Sequence, residues 1–473
     1  MATVKIDNFH GIQPRVHPSL LTDGMAVTAH NCRLKSGKLV PIREPTVCDG
    51  VRVYRENGLP DDTYVSSIQI WHDTDESFAL LMFPDVTWSA PGNVADDRFT
   101  RLIVSGVTGE QFRDSEGVMH ENSPVLYVRV GDMREKRRIA IAKNALPAPL
   151  VRRDANDPLT EEKRYTRFFV TWVDAYGMES PPSNPSLLYD GTDAALEYDD
   201  GDPVALKISG TLPINLESIR VYKSVTGLED GYAQFVKEFP KSSVVGNKEV
   251  VFAVPDEDVG ETMPEIESVP ADLVCILDVP GSFYCGFSPS KPKTVCFSDV
   301  NLLYSWPVAY RYDISNNIVS LAVTSNNVFA LTDGWPYVLS GTSPESMTVS
   351  KIAGAAACVS PRGICVHNNN VYFVSHNGLM VIGNDADAGT TCKNLTQGIF
   401  TKEQWTAFNP SSCIMGVYED ALHLLFTLPN KRKKQLIIDL VEGANAVTTH
   451  DVNMTCMVVD NKGGRMLFLK EED

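Results

Sequence analysis

The sequence predicts an all-β protein, a six-bladed β-propeller carrying an inserted fibronectin type III-like β-sandwich, on three observations. A strand–turn–strand phrase recurs after 43 residues, as "NNVFALTDG" from Asn326 and "NNVYFVSHNG" from Asn369. Units of four short strands follow one another through the C-terminal half at a spacing of roughly 40–50 residues, the period of a propeller blade. Between the two strand-rich ends lies a run of different texture, free of cysteine from Cys48 to Cys275 and bracketed by prolines.

The repeat justifies the blades. "LAVTSNNVFALTDGWPYVLSG" from Leu321 lies over "ICVHNNNVYFVSHNGLMVIGN" from Ile364 without a gap. Each reads as apolar strand, polar turn, apolar strand, turn, apolar strand, and the Asn pairs tolerate the left-handed backbone of tight hairpins. "MTVSKI" from Met347 and "TCKNLT" from Thr391 supply fourth strands. "CIMGVYEDALHLLFTL", "KQLIIDL" and "NAVTTHD" form a further unit, and "TCMVVDNKGGRMLFLK" ends the chain two strands short of another. The hairpin "NCRLKSGKLVPI", turning at Ser36-Gly37, supplies the missing pair. Residues around 30–42 are therefore expected to pair with residues around 454–470 and so remove an open sheet edge. Strand-like runs over about 66–142 and 273–314 complete the count of six. The organisation is 1–148 as the N-terminal part of the propeller, 149–264 as the inserted sandwich, and 265–473 as the C-terminal part. The sandwich rests on "RYTRFFVTWVDAYGMESPPSNPS", "VALKISG", "SIRVYKS", "AQFVKEF" and "EVVFAVP", flanked by Pro147, Pro149, Pro264 and Pro270.

Composition narrows function. Apolar residues make up 43% and charged residues 22% of the 473, ordinary for a globular chain. No apolar run approaches the roughly 18 residues of a membrane span, so no membrane partner is expected. "MATVKIDNFHGIQPR" lacks the basic-then-apolar pattern of a secretory signal. The net charge of −18 disfavours tight binding to phosphate backbones, which needs clustered Lys and Arg. The ten cysteines form no CxxC pair and sit in apolar runs, which reads as buried free thiols in a reducing compartment.

No pattern for catalysis emerges. There is no GxSxG, HExxH or GxxxxGK[ST] stretch. His367 and His376 flank one hairpin, but the matching positions of the sister repeat are Thr324 and Asp333, so both read as surface residues. "NDADAG" from Asn384 begins like a calcium loop, but Leu395 falls where the acidic twelfth ligand is required. "EYDDGD" from Glu197 reads as a solvated loop. Two basic clusters remain, "REKRR" over Arg134–Arg138 and "KRKK" over Lys431, Arg432, Lys433 and Lys434. The second reads as a hairpin tip and is the candidate contact with an acidic neighbouring subunit or with DNA. No catalytic, cofactor or metal residues are assigned, and the chain is expected not to be an enzyme.

Taken in order, several segments resemble structural proteins of tailed bacteriophages. They are "FHGIQPRVHPSLLTDGMAVTAHNCRLKSGKLVPIREP", "VTWVDAYGMESPPSNPS" with "SIRVYKS", "VCFSD", "YSWP", "VFALTDGWPYVLSGTSPESM" and "ACVSPRGICVHNNNVYFVSHNGLMVI". The family they resemble is the tail nozzle protein of short-tailed phages. That resemblance implies a homohexameric ring in the virion tail, assembled in the host bacterial cytoplasm. It implies partners in the adaptor ring beneath the portal and in other tail proteins, fibres or needle. It also implies double-stranded DNA passing through the channel without tight binding: the ring retains the packaged genome and allows its ejection. Two other classes fit a propeller: a glycan-active enzyme and a monomeric protein-interaction scaffold.

Overall fold

The structure, a computed structural model, describes residues 8–470 except 36–37, 44, 56–64, 73–77, 93–96, 98, 108–111, 114–118, 121–123, 131–132, 139–146, 210–211, 213–215, 225–231, 247, 254, 326, 355, 386–388 and 444–445. Short strands dominate; the described helices are single turns such as Lys402–Thr406. β-Branched and aromatic residues supply strand propensity, and the hairpins are closed by residues that accept a left-handed backbone. Asn368 and Asn369 have φ of 48° and 60°, and Glu419 and Asp420 at the equivalent turn have 47° and 55°. The repeated Asn also links neighbours: Ser325 donates its backbone N–H and its hydroxyl to Asn369 Oδ1, at 3.2 and 2.7 Å.

Five antiparallel sheets have four strands in sequence order. Their first strands are Trp88–Pro91, Val274–Val279, Ile318–Val323, Ile364–His367 and Ile414–Tyr418. A three-stranded sheet (Ser67–His72, Phe78–Phe83 and, parallel to the latter, Arg52–Arg55) precedes them. A two-stranded hairpin, Met454–Asp460 with Arg465–Lys470, follows. The first strands run side by side in one circuit. Val274–Val279 lies against Trp88–Pro91 and Ile318–Val323, Ile364–His367 against Ile318–Val323 and Ile414–Tyr418, and Met454–Asp460 against Ile414–Tyr418 and Ser67–His72. Gln69 and Ser67 close the circuit by hydrogen bonds to Thr87 and Ser89. The arrangement is propeller-like.

This geometry changes two expectations. Among the described residues, seven sheets, not six, contribute a first strand to the circuit. The run over 66–142 divides at Trp88, where the four-residue strand Trp88–Pro91 starts a new sheet, and the final hairpin is a sheet of its own beside Ser67–His72. The second change concerns closure. The N-terminal hairpin, Cys32–Lys35 with Lys38–Pro41, does not pair with the C-terminal hairpin. Its entry segment instead docks on Val447–Asp451, the outer strand of the sixth sheet. Thr449 donates its backbone N–H to Ala29 O at 2.9 Å and accepts from Asn31 N at 2.8 Å, and His30 forms a parallel bridge with it. The outer edge of that strand offers the unpaired backbone groups that the entering chain satisfies. Gly11–Ile12 and Met25–Ala26 pair in parallel beside it, and Phe9 and Ile12 pack with Ile399 and Trp405 between the fifth and sixth sheets.

The segment over 149–264 forms two packed sheets. One has the order Leu187–Leu188, Leu150–Arg153, Val204–Lys207, Glu249–Phe252; the other has Phe168–Asp174, Leu216–Ser224, Ala233–Pro240. Phe168, Val170, Trp172, Leu206, Ile219 and Val221 fill the space between them, as alternation along facing strands requires. The acidic stretch from Glu197 ends a short strand in a turn at which Glu197 and Asp200 are exposed, and its carboxylates are paired. Asp202 pairs with Arg153 at 2.5 Å, Glu197 with Lys163 at 2.7 Å and Asp200 with Arg164 at 3.4 Å. Tyr176 and Met178 at the 174–180 turn pack with Leu273 and Trp306 of the propeller-like part, and Arg101 donates to Tyr176 O at 2.6 Å.

Where the N-terminal hairpin meets the sixth sheet, Arg33 pairs with Glu419, and His423 is buried behind them, its Nδ1 3.2 Å from Gln435 Nε2. Burial, reinforced by the Arg33 charge, pushes the imidazole pKa down to about 4. The unfolded value is about 6.5, so the unfolded chain takes up the proton first as pH falls. The stability held by neutral His423 is full above about pH 6.5 and is lost toward pH 4, by up to about 3 kcal/mol. Urea midpoints measured at pH 7.5 and pH 4.5 should therefore differ less in His423→Gln than in the natural chain; equal acid sensitivity in both would contradict the assignment.

Candidate functional site: the central channel

The circuit of first strands surrounds an open cavity of about 490 Å³. Every first strand reaches it, through Gln69, Ser89, Asp278, Leu321, Val366, Gly416 and Val458. The wall is stitched from sheet to sheet. Gln69 Nε2 donates to Thr87 Oγ1 at 3.0 Å, Ser89 Oγ to Gln69 Oε1 at 2.7 Å, and Trp88 Nε1 to Ser320 Oγ at 3.3 Å. Leu321 N donates to Cys275 Sγ at 3.2 Å, and Arg362 donates to Ser66 O. Asp278 is the carboxylate among the lining residues, with its pKa raised by burial; Arg362 is the guanidinium. A space of this size is far too small to hold a nucleic-acid duplex. The rest of the lining is mainly apolar, with hydroxyls and the Gln69 amide, and its polar groups mostly serve the contacts between sheets. It joins the sheets and does not present a convergent set of reactive groups.

Lys431, Arg432, Lys433 and Lys434 lie far from that wall. They occupy the turn between Ala421–Thr427 and Lys433–Asp439 and the start of the second of these strands. Lys431 sits at φ 66° and donates its N–H to Leu428 O at 2.8 Å. Lys431 and Arg432 are exposed; Lys433 and Lys434 are half-buried, Lys433 Nζ donating to Thr427 Oγ1 at 2.8 Å and Lys434 facing Asp451 in register. The turn thus presents two exposed cations at its tip, with the other two partly drawn into the sheet. Arg134–Arg138 lies within the strand Met133–Arg138. His376 is exposed at its turn, and His367 is 3.5 Å from Asp420 of the next sheet. Ala386, Asp387 and Ala388 of the calcium-like stretch lie outside the described residues. Among the described residues, no group of three or more His, Cys, Asp or Glu side chains is placed to share a metal ion. The channel was not legible in advance because its lining residues belong to separate strands and carry no shared motif.

No family model matches this sequence. No curated protein matches it either. Solved structures give distant likenesses. Kluyveromyces lactis Hsv2 is 9% identical at a TM-score of 0.25, over 50% of this chain and 57% of that one, so the chain spans little more than half of Hsv2. The fission yeast SREBP–SCAP binding domains are 9% identical at 0.28, over 88% and 92%. A functionally unknown protein from Desulfotomaculum acetoxidans is 11% identical at 0.24, over 52% and 95%. Likenesses at these scores carry no argument about this chain.

The thiols test the packing of the wall. Cys275, Cys285, Cys296, Cys358, Cys413 and Cys456 are buried and Cys48 is exposed. Burial pushes Cys275 and Cys358 up to about 12 and Cys296 to about 11, so they stay protonated and shielded. An aromatic disulfide reagent at pH 8 should modify Cys48 first, before any of these six, with the modified site read by peptide mass mapping. Early labelling of Cys275 or Cys413 would mean that the contacts between sheets open readily.

Proposed function

We propose that this chain is a non-enzymatic structural subunit of a phage tail nozzle, a seven-bladed β-propeller with an inserted fibronectin type III-like sandwich. The observation that carries the reading is the centre of the molecule. A cavity of about 490 Å³, walled by groups spent on joining sheets, makes the propeller a rigid block and not a conduit in itself. A duplex therefore passes between copies of the chain, around an axis they share, and not through any one of them. The ordered resemblance of the sequence to nozzle proteins supplies the setting: a homohexameric ring below the portal and its adaptor ring, in contact with fibres or needle. The net charge of −18 suits such a wall, since it repels a polyanion and keeps it sliding. A cyclic ring needs two different surfaces on each subunit that close after a fixed rotation. The cationic tip at Lys431 and Arg432 is available to meet an acidic neighbour there.

Particles assembled without this chain should have capsids of normal size that lose their genome or fail to eject it. The purified protein should leave duplex DNA unshifted in a gel at about 0.15 M salt, where a few basic contacts are screened. Infectious particles lacking the chain, or retention of duplex at that salt, would overturn the reading.

A further inference from the structure

A second cleft lies against the fifth sheet and shares no lining residue with the central channel. Its volume is about 470 Å³, in the range of roughly 300–1,000 Å³ that small-molecule sites occupy. Three stretches distant in the chain build it. The turn after Asn370–Ser375 supplies Asn377, the connector leaving Gly389–Asn394 supplies Gln397 and Lys402, and the N-terminal segment supplies Arg15. Hydrogen bonds fix these walls. Asn394 Nδ2 donates to Asn377 O at 2.8 Å, and Asn394 Oδ1 accepts from Thr396 N at 2.9 Å. Gly378, at φ 143°, permits that approach, since a Cβ there would lie 2.6 Å from Asn394 Oδ1. Arg15 donates its backbone N–H to Ile399 O at 3.1 Å and its Nη1 to Gln397 O at 2.5 Å, and Gln404 Nε2 donates to Pro14 O at 3.0 Å. The floor is apolar, with Ala356, Met380 and Phe400 buried. Arg15, Asn377, Gln397 and Lys402 are exposed around it. No described lining residue is acidic, in a chain with 60 acidic side chains against 42 basic ones. Glu403, the next residue in the chain, is bonded to Thr401 and to its own backbone N–H and is not part of the lining. Among the described residues, neither cation has an ion-pair partner, and neither the Asn377 nor the Gln397 side chain has a hydrogen-bond partner.

We infer that this cleft binds an acidic sugar, a hexuronate, by its carboxylate. The inference is independent of the ring reading. A planar guanidinium matches a carboxylate with two parallel hydrogen bonds, and Arg15, engaged at Nη1, keeps its Nε and Nη2 edge for that purpose. Lys402 adds a second positive charge at the same mouth. The two free amides select the rest of the ligand. An amide both donates and accepts, as does a sugar hydroxyl, so Asn377 and Gln397 suit a hydroxylated body. Inorganic phosphate would engage only the donors, and an apolar acid would leave both amides unpaired on binding. The apolar floor at Ala356, Met380 and Phe400 suits the C–H face of a pyranose ring. The same chemistry is offered by a free sugar acid and by a uronate unit within a polysaccharide.

The test is calorimetric titration of the full chain with glucuronate, glucose and inorganic phosphate, repeated on Arg15→Gln and Lys402→Gln. Glucuronate should bind the natural chain at least tenfold more tightly than glucose or phosphate does, and each variant should weaken it at least tenfold. Arg15 also ties the N-terminal segment to the connector, so its variant is compared at an unchanged melting temperature. The Lys402 side chain holds no described contact, and its variant decides the matter if the other fails to fold. Amide exchange over 375–380 and 394–402 should slow in saturating glucuronate. A hyaluronan tetrasaccharide, in which glucuronate alternates with a neutral sugar, separates the two sources. Binding at least as tight as that of the monomer assigns the cleft to a polysaccharide unit, and binding of the monomer alone assigns it to the free acid. No heat with either acidic ligand would overturn the inference. Glucose or phosphate binding as tightly as glucuronate would overturn it, as would undiminished affinity in Lys402→Gln.

Discussion

Each sheet of the circuit is apolar on both faces, and only a neighbouring sheet on each side can cover it. Val328, Ala330 and Leu339 of one sheet turn toward Phe287, Val295 and Phe297 of the sheet before it, while Phe329, Leu331 and Val338 turn toward Val371, Phe373 and Ile382 of the sheet after. A row of such sheets has no natural end. It must curve until its last member covers its first, or leave an apolar face in water at roughly 25 cal/mol per Å². The seventh sheet meets that demand by packing Cys456 and Met457 against Ile68, Leu80 and Met82. The channel, its narrowness and the placing of the two chain ends follow from this closure.

How the ends are treated follows from hydrogen bonding more than from apolar packing. The outer strand of the sixth sheet is capped by Ala29, His30 and Asn31 of the N-terminal arm. The seventh sheet closes the circuit at its inner strand, and among the described residues its outer strand pairs only with that inner strand. Packing and backbone pairing are thus satisfied in different places.

The repeat made most of the fold legible. The Asn pairs at 326–327 and 369–370 marked two hairpins, and the β-branched and aromatic runs around them marked the sheets from 318 to 451 correctly in order. The two facing sheets of the inserted segment were also foreshadowed by its alternating strands. Two features escaped. Trp88–Pro91 is short and ends in proline, so local pattern gave no sign that it opens a sheet, and the count fell one low. The partner of the N-terminal hairpin escaped because pairing between chain ends depends on which edge is free in space, and sequence pattern does not encode that. The ion pairs of the acidic stretch from Glu197 escaped for a similar reason: Arg153, Lys163 and Arg164, its partners, are close in space and distant in the chain. The channel had no local signature at all.

The structure describes a circuit of sheets around a narrow centre, with the outer strand of one sheet capped by residues 29–31, and the sequence resemblance suggests copies of such a circuit around a DNA path. The most direct measurement is cryo-electron microscopy of assembled particles, with the density of this chain located by its propeller-like circuit of sheets and the two packed sheets over 149–264. The account predicts a ring of copies on the tail axis beneath the portal, with the DNA path between them and no duplex inside any propeller. Density on the capsid surface, or at receptor-binding fibres away from the axis, would contradict it.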